Sequence, residues 1–155
     1  MNIEALLSPE RVQCHTASTS KKRALEKLSE LLASGTDGLT ASEIFDSLLS
    51  RERLGSTGLG HGVAIPHGRT AGASKAVAAL VTLDGGVDYD APDHKPVDIL
   101  FALVVPEAST DEHLQTLAQL AQMFSDEQVT GDIRDCRDAH CLLSLIGKWE
   151  ARQAA

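Results

Sequence analysis

The chain has 155 residues, enough for one domain with a sizeable core. Apolar residues make up 43% of it but aromatic residues only 3%, so Leu, Val, Ile and Ala must build that core. The formal net charge of −8 argues against a nucleic-acid binder, which needs a basic face to displace counterions, and no apolar run is long enough for a membrane-spanning helix.

Residues 1–11 read as a loose lead-in, because Pro9 disfavours regular structure. Val12 to Thr16 reads as a short strand. Ser20 is placed to cap a helix whose Leu25, Leu28, Leu31 and Leu32 recur at helical spacing, and Gly35 should stop it. Within it, Lys21-Lys22-Arg23 is the only basic run and reads as a solvated first turn. Thr40-Ala41-Ser42-Glu43 is a capping box that opens a second helix, with Ile44, Phe45, Leu48 and Leu49 inward. That helix should run into Arg51 and end before Gly55, delivering an arginine to the mouth of a glycine-rich stretch.

The stretch is Gly55 to Arg69, GSTGLGHGVAIPHGR. Val63-Ala64-Ile65 is compatible with a strand, and Pro66, which cannot donate to a ladder, should stop it or sit at an edge. Gly68 has no Cβ and allows a close approach just after His67. The expected result is a histidine at the lip of a sheet with open space beside it.

Ala76 to Leu83 reads as a strand buried on both faces, Asp84-Gly85-Gly86 as a turn, and Val87 to Tyr89 as a short return strand. Pro96 to Val105 contains the most hydrophobic run and should be the central strand, ended by Pro106. From Ser109 the period changes to that of a helix, with Thr110 the expected N-cap and Leu114, Leu117, Ala118, Ala121 and Phe124 the expected core stripe. A further helix is expected over Glu127 to Cys136, and Asp138 should cap a last one carrying Leu142, Leu143, Leu145, Ile146 and Trp149; residues 151–155 should fray. Cys14, Cys136 and Cys141 are odd in number and form no CxxC, which points to buried or free thiols in a reducing compartment. With no charged-then-apolar leader pattern, a cytoplasmic protein is expected. Helices, then strands, then helices imply a single domain over 1–155 of the α/β class, a three-layer α/β/α sandwich with a central mixed β-sheet flanked by helices.

Neutral imidazole is nucleophilic near pH 7, so His67 can serve as a covalent nucleophile, a base or a metal ligand. A glycine-rich loop beside Arg51 suits an anionic, phosphate-like group, for which Ser56 and Thr57 offer hydroxyls and amides. His113 lies in the first turn of the helix after Ser109, where the helix dipole favours an anion, although by spacing alone it is a surface helix residue. His61 sits inside the glycine loop.

The segment RERLGSTGLGHGVAIPHGR resembles the phosphorylation-site signature of the enzyme IIA proteins of the bacterial phosphoenolpyruvate-dependent phosphotransferase system. It is most similar to the fructose/mannitol class and, within that, to the stand-alone nitrogen-regulatory form. The likeness continues through Lys95 to Pro106 and His113-Leu114-Gln115-Thr116-Leu117. The resemblance implies that His67 accepts a phosphoryl group as tele-phosphohistidine, that His113 donates a hydrogen bond to that group, and that Arg51 stabilises it; Ser56, Thr57 and Gly68 are the phosphate-loop residues expected from the glycine-rich turn itself. It implies no metal and no other cofactor. The expected donor is a histidine-containing phosphocarrier protein, the expected readers are regulatory target proteins, and the expected state is a monomer or weak dimer.

Three other readings compete. A sugar-specific IIA component would pass the phosphate to a IIB domain. A pure binding module would share the fold without carrying phosphate. A zinc metallohydrolase would need His61, His67, His113 and a carboxylate such as Asp111 to converge, yet HExxH, HxH and CxxC spacings are missing.

Overall fold

The computed structural model describes residues 2–154. In chain order the elements are β1 (Val12–Thr16), α1 (Lys21–Ala33), α2 (Ala41–Glu52), β2 (Gly58–Gly60), β3 (Val63–Ala64), β4 (His67–Thr70), β5 (Val77–Val87), β6 (Val97–Pro106), α3 (Thr110–Phe124), α4 (Glu127–Asp135) and α5 (Ala139–Ala154). All six strands form one sheet in the order β1-β5-β6-β3-β2, with β4 also paired to β6. The sheet is mixed: β5 and β6 run antiparallel, whereas β1 pairs parallel to β5, and β3 and β4 pair parallel to β6.

Strand alternation divides the core between two faces. Ile99, Phe101, Leu103 and Val105 of β6 pack with Leu120, Met123 and Phe124 of α3, Ile133 of α4, and Leu142, Ile146 and Trp149 of α5. The intervening Leu100, Ala102 and Val104 face Leu25, Leu28 and Leu32 of α1 and Ile44 and Leu48 of α2. This is the three-layer α/β/α sandwich, with β6 as its central strand. Each fully buried Leu or Ile contributes about 1.5–3 kcal/mol relative to exposure.

The caps behave as their side chains dictate. Ser20 Oγ accepts from Arg23 N at 3.1 Å, and Thr40 and Glu43 exchange both bonds of the capping box, each at 3.1 Å. Asp138 Oδ1 accepts from Cys141 N at 2.8 Å at the start of α5.

Several expectations are corrected. Residues 4–6 and 9–11 form two short 3-10 turns, and Ile3 and Leu7 are buried in the core of the α3–α5 face, so the lead-in is packed. Glu150 of α5 ties this segment down by accepting from Ile3 N at 2.6 Å and Glu4 N at 2.8 Å. Asp84-Gly85-Gly86 is no turn: β5 continues through it to Val87 with an irregular register after Thr82, and Gly86 lies against Pro96 where a Cβ would collide. Tyr89 is wholly buried, and no return strand forms at 87–89. Helix α5 extends to Ala154, so residues 151–154 are helical and exposed, while residue 155 lies outside the described residues. Cys136 and Cys141 are joined in a disulfide, their Cα atoms 5.6 Å apart, because the chain turns between α4 and α5; Cys14 alone is a free thiol. Lys21 is not merely solvated: its Nζ lies 3.0 Å from Glu52 Oε1 and 4.3 Å from the centroid of the Tyr89 ring.

Gly68 is filled from within the fold rather than left open. A Cβ there would overlap Ser47 Oγ on α2 and stand 3.2 Å from Ser47 Cβ, so the missing side chain is what lets α2 seat against β4. Gly68→Ala is therefore expected to cost about 1–3 kcal/mol of stability, as overpacking does. Adding Ser47→Ala in the same chain should recover part of that loss, read from urea denaturation midpoints of the single and double variants.

Candidate functional site: a histidine cleft between two helices

His67 opens β4 opposite Leu103 of β6 and is only 8% exposed, so it belongs to the sheet rather than standing clear at its lip. The local chain explains its orientation. β3 ends at Ala64, and Pro66 supplies a carbonyl to Leu103 N at 3.0 Å but no N–H of its own. His67 Nδ1 donates to Ile65 O at 2.7 Å. A carbonyl can only accept, so this bond assigns the proton to Nδ1 and leaves Nε2 with its lone pair. Burial, with the Arg51 charge adding to it, pushes the His67 pKa below its ordinary value against the opposing Ile65 bond and Glu52 charge. The ring is therefore neutral at pH 7.

His67 lines a cleft of about 740 Å³ together with Arg51, Arg69 and His113, and its walls include the exposed Leu54 and Leu114. Arg51, in the last turn of α2, donates from Nη1 to Gly55 O at 2.8 Å, which ties its guanidinium to the glycine-rich loop. Arg69 donates from Nη1 to Thr110 Oγ1 at 3.1 Å. Sequence reading passed over Arg69. The signal was the strand period: once His67 begins a strand, residues 67 and 69 point to one face.

His113 is not a surface residue; it is 7% exposed, and its ring centroid lies 5.1 Å from that of His67 at an interplanar angle of 56°. Helix α3 is rotated relative to the expected stripe. His113, Thr116, Leu120, Met123 and Phe124 are buried, whereas Leu114 is 60% exposed and Ala118 is exposed as well. The N-cap is Ser109, not Thr110, and its side chain makes no cap bond. Burial, reinforced by the nearby His67 and Arg69, lowers the His113 pKa from the ordinary 6.5 to about 4. Both imidazoles are thus neutral at pH 7, and the arginines supply the positive charge.

Of the other predicted site residues, only Gly68 borders the cleft. Ser56 Oγ donates to Tyr89 O at 3.0 Å, and Thr57 Oγ1 donates to Glu52 Oε2, so both hydroxyls serve the wall behind the loop and neither lines the cleft. Gly68 lines the cleft but contacts Ser47, as described above. His61 is exposed, with its N–H on Asp93 Oδ2 at 2.9 Å and its carbonyl held by Arg134 Nη2 at 2.8 Å, and neither it nor Asp111 borders the cleft. Among the described residues no three His, Cys, Asp or Glu side chains are grouped to hold a metal ion, so the ligand set of the metallohydrolase reading is not assembled. No helix among them is long and apolar enough to cross a membrane.

Fold and cleft together define a class: an α/β/α domain that presents one neutral imidazole, its Nδ1 anchored, beside two guanidinium groups. Residues 5–149 match the family described as the phosphoenolpyruvate-dependent sugar phosphotransferase system, EIIA 2, and the chain belongs to that family. It is 42% identical over 146 residues to a nitrogen regulatory protein of Pseudomonas aeruginosa, covering 94% of this chain and 95% of that one. It is 33% identical over 147 residues to a fructose-specific EIIA component of Haloferax volcanii, covering 95% and 96%. The crystal structure of the nitrogen regulatory protein IIA-Ntr from Neisseria meningitidis superposes with a TM-score of 0.89 at 39% identity, over 93% of this chain and 98% of that one.

The lowered histidine pKa values carry a pH dependence. Between the ordinary 6.5 and the folded value near 4, the unfolded chain binds a proton at His113 that the native chain does not. Stability should therefore fall as pH drops through 6.5 toward 4. His113→Asn removes that contribution, and its urea midpoint is expected to decline less steeply than the wild type's over the same range.

Proposed function

We infer that this protein is a phosphocarrier of the nitrogen-regulatory branch, which takes a phosphoryl group on His67 Nε2 from a histidine phosphocarrier protein and reports its phosphorylation state to partner proteins. The observation that carries the reading is the Nδ1 bond to Ile65 O, which leaves Nε2 as the nucleophile of a buried, neutral ring lining an open cleft. In the transfer, Nε2 attacks phosphorus in line as the bond to the donor's histidine nitrogen breaks. The ring then carries the phosphoryl group and keeps its Nδ1 proton on Ile65.

Phosphoryl transfer needs positioning and charge stabilisation more than covalent machinery. Arg51 stabilises the equatorial oxygens with a fork suited to phosphate, and Arg69, on the same face as His67, adds a second guanidinium. His113 donates a hydrogen bond from its ring to the same oxygens. The exposed Leu54 and Leu114 at the cleft give a docking partner apolar area around the charged centre. The match to nitrogen regulatory proteins over nearly the whole chain favours the regulatory role. The sugar-specific alternative, in which phosphate passes on to a IIB domain, is supported by the likeness to the fructose-specific component.

Incubation with phosphoenolpyruvate and the upstream phosphotransfer proteins should add one phosphoryl mass to the wild-type chain, in an acid-labile, base-stable linkage. His67→Ala should abolish the gain. His113→Ala should still gain it, but more slowly, and Arg51→Ala should slow acceptance by more than tenfold, about 1.4 kcal/mol in the barrier, with little change in melting temperature. Labelling that survives in His67→Ala and vanishes in His113→Ala would reverse the two roles. Transfer onward to a IIB domain of the fructose type would favour the sugar-specific reading.

A further inference from the structure

Behind the cleft lies a buried polar group that the transfer chemistry does not use. Glu52, the last residue of α2, is only 7% exposed. Its carboxylate accepts from Thr57 N at 3.2 Å and from Thr57 Oγ1, and it pairs with Lys21 Nζ at 3.0 Å. Tyr89 completes the set, with its hydroxyl 3.2 Å from Thr57 Oγ1. Because a carboxylate only accepts, the Thr57 hydroxyl donates to Glu52, and the Tyr89 hydroxyl therefore donates to Thr57. Burial, together with the Glu52 charge, pushes the Tyr89 pKa up, which keeps that phenol protonated and able to donate.

The network does not stop at Thr57. Thr57 O accepts from Ile65 N at 3.1 Å, and Ile65 O accepts from His67 Nδ1 at 2.7 Å. A continuous chain of hydrogen bonds thus runs from the Glu52 carboxylate, through both sides of Thr57 and both sides of Ile65, to the back nitrogen of the ring that faces the cleft. Ile65 lies in the gap between β3 and β4, and its N–H is spent on Thr57 rather than on β6. Thr57 in turn has its N–H and its hydroxyl on the one buried carboxylate.

We propose that Glu52 is a positioning residue for His67: by clamping Thr57 it fixes the Ile65 carbonyl, and through that carbonyl it holds the imidazole in its Nδ1–H tautomer with Nε2 free. The proposal rests on the reading of His67 as the phosphoryl acceptor, and it adds a residue that never touches the phosphoryl group. Arg51 and Glu52 are consecutive at the end of α2 and act on opposite sides of the site. Arg51 reaches the cleft and Gly55 O, while Glu52 reaches the wall behind the loop. The helix terminus therefore holds residues 55–57 at both ends.

The test reads the tautomer directly, by nitrogen NMR of the His67 ring in the full-length chain above pH 7. Wild type should show a protonated Nδ1 and an unprotonated Nε2. In Glu52→Gln and in Thr57→Val both ring nitrogens should move toward averaged values, and phosphoryl acceptance from the upstream carrier should slow about tenfold, the scale seen when the partner that orients a functional histidine is lost. Thr57→Ser keeps the hydroxyl and should restore both the ring signature and the rate. Thr57→Val carries the test by itself if Glu52→Gln does not fold. An unchanged Nδ1–H signature in a folded Glu52→Gln or Thr57→Val variant overturns the proposal, whatever the rate does. Phosphoryl uptake by His67→Ala would instead remove the acceptor reading and leave the tautomer result standing, so the two failures are told apart.

Discussion

The site depends on one short bond, from His67 Nδ1 to Ile65 O at 2.7 Å. A donor and an acceptor only two residues apart do not ordinarily meet in a strand, where successive side chains point to opposite faces and carbonyls are taken by the neighbouring strand. Here the ladder along β6 is interrupted. β3 pairs Val63 and Ala64 with Ile99 and Leu100, β4 resumes pairing at His67 with Leu103, and Pro66 between them has no N–H to offer. Pro66 O nevertheless accepts from Leu103 N of β6, while Ile65 N–H goes to Thr57 O on the other edge, so the Ile65 carbonyl points away from β6 and is the anchor of the ring.

That anchor constrains what surrounds it. For the cleft to form on the Nε2 side, α2 must approach closely enough for Arg51 to reach it, and Gly68 allows that approach by leaving room for Ser47. On the other wall α3 must turn a histidine inward. Apolar periodicity alone would have buried Leu114 and Ala118, so turning His113 inward exposes a leucine and buries an imidazole. Helix amphipathicity is a preference spread over many residues, and the remaining contacts of Leu120, Met123 and Phe124 still serve the core. The core tolerates the rotation, and the cleft gains a second ring.

The parts of this molecule legible in its sequence are those decided by local chemistry. The Thr40–Glu43 box, the Ser20 and Asp138 caps, the strand at Val12–Thr16 and the central strand ended by Pro106 are each written in a few neighbouring residues. His67 was conspicuous for the same reason, standing between Pro66 and Gly68. What escaped is decided by which side chains the folded backbone brings together. Lys21 looks solvated until Glu52 and Tyr89 are brought to it, Ser56 and Thr57 look like phosphate ligands until Tyr89 and Glu52 claim their hydroxyls, and Cys136 and Cys141 look like thiols until the α4–α5 turn joins them. Gly85-Gly86 carries the composition of a turn, but pairing with β6 resumes at Val87 opposite Val97 and keeps the chain extended. There tertiary pairing overrides local propensity.

The division of labour in the cleft follows from which groups titrate near neutral pH. A phosphoryl acceptor must be uncharged to attack, and the groups that hold the phosphoryl oxygens must stay positive. Histidine can meet the first demand and is poorly suited to the second, because its charge varies in the physiological range. Arginine meets the second because its guanidinium keeps its charge across that range. Burial pushes the pKa of both imidazoles down, that of His113 to about 4, and so removes them from the charge balance, while Arg51 and Arg69 border the same cleft. A chain of net charge −8 thus concentrates fixed positive charge at one cleft beside a ring that stays neutral. Arg51 assists this directly, since its charge lowers the His67 pKa and its side chain borders the same cleft. The buried Glu52 charge opposes that shift from behind the loop, so the ring sits between a cation that favours its neutral form and an anion whose hydrogen bonds lead to its back nitrogen.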